Sequence, residues 1–108
     1  MFAISLEERS PLLANMLTIR VHLDAMTEEN GPLSVIPGSH FVEQKTAQQP
    51  IELSADAGDV LAMRPLVSHS SSVSRDGTTM HRRVIHLELA SHAELPDGYE
   101  WYSYSPIA

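Results

Sequence analysis

The chain has no cysteine among its 108 residues. That excludes a disulfide framework, thiolate metal ligands and a cysteine nucleophile. Basic residues are scarce: seven Lys and Arg stand against fourteen Asp and Glu, a formal net charge of −7. So acidic a chain presents no attractive field to phosphate backbones or anionic lipid, which argues against nucleic acid and membrane partners. No apolar run approaches the roughly 20 residues of a membrane span. The opening MFAISLEERS turns charged too early for a secretory signal. Together these absences predict a cytoplasmic protein. Helical periodicity is also nearly absent. Only Ser5, ahead of LEERS, reads as the cap of a short helix, which Pro11 would end. No G-x-S-x-G elbow is present, so a nucleophilic serine is not expected.

What is present is a period of two. In MLTIRVHLDA, residues Leu17, Ile19, Val21 and Leu23 fall on one face, and Thr18, Arg20, His22 and Asp24 on the other. This is the pattern of a strand with one apolar face. TEENGP follows, and its Asn30-Gly31 pair predicts a hairpin turn, because both residues tolerate positive φ. Short strands are predicted over 33–36, 51–54 and 60–63, separated by Pro37-Gly38 and by a turn at 56–58. Residues 68–79 read as a Ser-rich loop. The strand predicted over 82–89 puts Arg82, Val84, His86 and Glu88 on one face and Arg83, Ile85, Leu87 and Leu89 on the other. The tail ELPDGYEWYSYSPIA carries the single Trp and all three Tyr, and is expected to bury them against the sheet. About five short strands with Gly/Pro turns indicate one all-β domain, residues 1–108, of sandwich or jelly-roll type. If the lumen holds a metal and a charged ligand, the polar strand faces point inward. The aliphatic faces then need cover from outside.

Three groups of residues could carry chemistry there. His69, placed at a strand end, is a candidate metal ligand, since neutral imidazole is the commonest one. Of the two adjacent arginines, strand phase favours Arg82 over Arg83 as a bidentate carboxylate clamp, because Arg82 shares its face with His86 and Glu88. His22 and Asp24 lie two apart on one strand face. With His69 they could form the two-His-one-carboxylate triad of non-haem iron sites.

Three segments in order, RVHLDAMTEENGPLSVIPGSH, AGDVLAMRPLVSHSSS and HRRVIHLELA, resemble the phytanoyl-CoA dioxygenase family of Fe(II)/2-oxoglutarate-dependent oxygenases. The resemblance implies a double-stranded β-helix, a cupin-like jelly roll, and a dioxygenase that hydroxylates a small organic substrate using Fe(II) and 2-oxoglutarate. By position, His69 resembles the distal iron-ligating histidine. Ser71 resembles a hydroxyl that binds the far carboxylate of 2-oxoglutarate, and Arg82 the arginine that pairs with it. Arg20 and His22 fall on the strand lining the co-substrate pocket. The family's HxD iron pair lies upstream of the strand that leads into NGPL, so His22 and Asp24 are out of register with it. The chain is therefore expected to be the C-terminal half of such an enzyme, an incomplete jelly roll without the HxD ligands. Two other readings remain open: a non-catalytic β-barrel fragment or binding module, and a small cupin with a His22/Asp24/His69 metal site. Without helical cover on the aliphatic faces, a homodimer is expected.

Overall fold

The computed structural model describes residues 11–41, 49–95 and 98–107. They form one helical turn, α1 (Pro11–Ala14), and six strands: β1 (Leu17–His22), β2 (Leu33–Val35), β3 (Ile51–Leu53), β4 (Val60–Met63), β5 (His69–Ser71) and β6 (Val84–Leu89). The strands make two antiparallel three-stranded sheets, ordered β4-β1-β6 and β3-β2-β5. The architecture is all-β and matches an incomplete jelly roll. Pro11 opens α1 rather than ending a helix; a missing N–H costs nothing in a first helical turn. The helix expected from Ser5 lies outside the described residues.

The two sheets face each other across a small core. Met26, Leu33 and Val35 are buried, and Leu53, Leu61, Met63 and Val67 pack against them. Leu61 and Met63 come from β4 and Leu33 and Val35 from β2, so both sheets contribute. Complete burial of a side chain such as Leu33 is worth about 2 kcal/mol.

The register shows which way β1 faces. Thr18 pairs with Met63, and Arg20 with Leu61. Directly opposed residues share a face of a sheet, so Thr18, Arg20 and His22 point toward the core side. Thr18 and His22 are each only 1% exposed. The strand thus turns its polar face inward, as expected for a barrel that holds a charged ligand. Its aliphatic face is turned out, beside the exposed Ile85 and Leu87 of β6.

Asn30-Gly31 does not close a hairpin. β1 and β2 belong to different sheets, so residues 23–32 cross between them. Asn30 is buried and holds the crossover in place. Its Oδ1 accepts from the Thr27 N–H at 2.8 Å, and its Nδ2 donates to the carbonyls of Ala25 (2.7 Å) and His81 (3.0 Å). Gly31 has φ +82°, and a Cβ there would collide with the Ser72 carbonyl oxygen.

The segment 69–71, read as the start of a loop, is a strand. Its pairing with β2 (Leu33 with Ser71, Val35 with His69) supplies the ladder that its sequence does not advertise. Arg82 lies two residues before β6 rather than opening it. The tail does not bury its tyrosines: Tyr99, Tyr102 and Tyr104 are exposed, and only Trp101 is partly covered.

Candidate co-substrate site

The chain segment Gly31–Leu33 gathers the elements of the site. Arg82 Nη1 donates to the Gly31 carbonyl oxygen. The Ser72 N–H donates to the Pro32 carbonyl at 2.9 Å, and Leu33 pairs with Ser71. The end of β5 and the approach to β6 are thus both fixed to one stretch of backbone.

Arg82 continues the inner face of β6. Val84 pairs with His22, and Arg82 lies two residues before it, on the same side of the chain. Arg82 is close enough for its charge to act on both His22 and Arg20. None of them has a carboxylate bound to it among the described residues. The Nε of Arg20 and both ring nitrogens of His22 are buried and lack a hydrogen-bond partner. Burial and the neighbouring Arg82 lower the Arg20 pKa from its ordinary value. Burial, then Arg20, lowers that of His22; Asp59 pulls the other way and Arg82 adds to the lowering. His22 is thereby held as the neutral imidazole at neutral pH. It also lines a cleft of about 210 Å³ with Met26, Leu53, Asp59 and Leu61.

His69 and Ser71 oppose Val35 and Leu33, both core residues, so they share that face of the second sheet, His69 half-buried and Ser71 exposed. His69 Nδ1 lies 2.6 Å from the Val67 carbonyl oxygen. A carbonyl can only accept, so Nδ1 carries a proton, and the neutral form of the ring has its lone pair on Nε2. This is the tautomer and orientation that a metal-ligating histidine needs. Ser39 supports it from behind. Fully buried, its Oγ accepts from the Ser68 N–H at 2.7 Å, just before His69.

Asp24 is engaged elsewhere. Arg83 grips its carboxylate through Nε and Nη2, both at 2.9 Å, and through its own N–H at 2.8 Å. That hydrogen bonding pushes the Asp24 pKa well below the usual carboxylate range. Among the described residues no group of three or more His, Asp or Glu comes together to hold a metal. The His22/Asp24/His69 triad is therefore not assembled. Further along β6, Glu88 accepts from Thr18 Oγ1 at 2.8 Å and meets His86 Nε2 at 2.5 Å.

The sequence matches the family model Phytanoyl-CoA dioxygenase (PhyH) over residues 4–84. The chain belongs to this family. The match contains β1 to β5, Arg82 and the first residue of β6. PhyH membership makes the chain one of a family of dioxygenases that generally depend on Fe(II) and 2-oxoglutarate. Neither a curated protein nor a solved structure matches it significantly.

Two residues important to this geometry were not singled out from the sequence. Asn30 was read as half of a turn signal, and Ser39 as part of a motif. Each is a buried polar side chain that satisfies backbone groups far along the chain, and local sequence carries no sign of that. No helix among the described residues is long and apolar enough to cross a membrane.

Proposed function

We propose that the described residues form the 2-oxoglutarate-binding half of a PhyH-type dioxygenase acting on a small organic substrate. The observation that carries this reading is the inward-facing Arg82, with Arg20 and His22 beside it and no acid partner. A carboxylate is the group this environment lacks. Arg82 offers a planar fork of donors, Ser71 a hydroxyl, and Arg20 and His22 buried donors with no other use. The donor set fits the far carboxylate of the co-substrate. When bound, 2-oxoglutarate supplies the reducing electrons of a dioxygenase and is itself decarboxylated.

The protein's own part is placement. Arg82 is braced by Gly31, Ser71 is fixed by β2, and the neutral His22 adds a hydrogen bond without adding charge.

The donors do not fit iron equally well. His69 presents Nε2, but the described residues bring it no second or third ligand, and no step through iron follows from them. This shortfall favours one second reading, a binding module that retains the carboxylate pocket without an iron centre.

Anaerobic titration with Fe(II) and 2-oxoglutarate, followed through the metal-to-ligand charge-transfer band, separates these readings. A band abolished by His69→Ala but retained in Asp24→Ala supports the dioxygenase half-site with ligands from outside the described residues. No band, with 2-oxoglutarate still bound, supports the binding module. A band lost in Asp24→Ala would restore the cupin-type triad.

A further inference from the structure

The pocket carries more positive charge than one carboxylate neutralises. Arg20 and Arg82 bring two guanidinium groups to one face of β1 and the approach to β6. Asp59, the carboxylate nearest this group in its effect on His22, accepts from the Asp56 N–H at 2.8 Å and stays exposed at the mouth of the cleft. The 2-oxoglutarate carboxylate contributes one negative charge here, and its other carboxylate lies at the opposite end of the molecule. One guanidinium is left without a counter-charge, and Arg20 is half-buried, so its charge is only partly solvated. Arg20 Nε and both His22 nitrogens are out of contact with solvent and unpartnered.

We propose that Arg20, His22 and Arg82 together form a site for a tetrahedral dianion of the phosphate type, which competes with the co-substrate's carboxylate. The inference rests on the co-substrate reading for the competition, though not for the site itself. A dianion neutralises both guanidinium groups. Its oxygens can accept from two forks and from the imidazole at once, where a carboxylate has only two oxygens to share. Burial and mutual repulsion weaken the proton affinity of Arg20, and a dianion between the arginines relieves both. A free phosphate and the phosphoryl group of a larger metabolite share this chemistry.

The test is calorimetric titration of the metal-free full chain, in chloride buffer, with inorganic phosphate and separately with 2-oxoglutarate. Phosphate is expected to bind at a single site and to displace 2-oxoglutarate. Arg20→Met is expected to weaken phosphate by at least about tenfold, and Arg83→Gln, whose side chain is occupied by Asp24, to leave it unchanged. A small organic phosphate that binds more tightly than phosphate, still dependent on Arg20, identifies the phosphoryl source; weaker binding identifies the free ion. If 2-oxoglutarate binds and phosphate neither binds nor competes, the dianion site is overturned and the co-substrate reading stands. If phosphate binds and 2-oxoglutarate does not, the co-substrate reading falls instead. Phosphate binding that ignores Arg20→Met and Arg82→Gln lies elsewhere and also overturns the site. The competition experiment needs only the unmodified chain, so it decides even if a variant fails to fold.

Discussion

Arg82 donates to the carbonyl oxygen of Gly31, fifty-one residues earlier in the chain. The contact ties the candidate ligand clamp to the crossover between sheets, and it needs the close approach that only glycine permits. Gly31→Ala introduces a Cβ at φ +82° against the Ser72 carbonyl. It should destabilise the fold by about 2 kcal/mol or more and weaken 2-oxoglutarate binding in whatever fraction remains folded. Urea denaturation gives the first quantity and calorimetry the second. A stable variant with unchanged affinity would mean that the contact positions nothing.

Asn30 makes three hydrogen bonds from a buried position. Asn30→Leu leaves the Thr27 N–H and two carbonyls without their partner. A loss of about 3 kcal/mol is expected, read from the urea midpoint. Asn30→Asp should also be harmful, because a carboxylate cannot donate to the Ala25 and His81 carbonyls.

His22 predicts a pH dependence. Its folded pKa lies below its ordinary value, so the unfolded chain takes up the proton more readily. The stability that the neutral ring contributes is full above about pH 6.5. It is lost as pH falls through that value toward the lower folded one. The imidazole C2–H resonance of His22 should titrate below pH 6.5, and a bound dianion should raise its midpoint. His22→Phe should flatten the acid limb of stability below about pH 6.5.

The outer face of the first sheet is aliphatic across all three strands. Ile19 opposes Ala62 and Leu87, and Val21 opposes Val60 and Ile85. Leu87 is 47% exposed. We propose that two copies cover this face against each other, which brings no unpaired charge into the contact. Light scattering at micromolar concentration should give twice 11.9 kDa, and Leu87→Asp should give the monomer. A monomeric unmodified chain would contradict the proposal.

Much of this was legible in the alternation of β1 and β6. It placed Thr18, Arg20 and His22 on one face, and it separated Arg82 from Arg83, which the structure pairs with Asp24. The short strands β2, β3 and β4 fell within the predicted ranges 33–36, 51–54 and 60–63. The β5 strand was not legible, because His69-Ser70-Ser71 has no strand propensity of its own and is extended only by pairing with β2. Asn30-Gly31 misled for the opposite reason. Its local preference for positive φ is real at Gly31, but whether flanking strands pair is decided by the sheets they join. The tyrosines of the tail were expected inside on hydrophobic grounds and lie outside.

Arg82 is proposed to anchor a carboxylate of 2-oxoglutarate without help from a metal. Calorimetric titration of 2-oxoglutarate into metal-free protein tests it most directly, comparing the unmodified chain with Arg82→Gln and Arg83→Gln. Saturable binding is expected, weakened at least about tenfold by Arg82→Gln and unaffected by Arg83→Gln. Equal affinity in the unmodified chain and Arg82→Gln would contradict it.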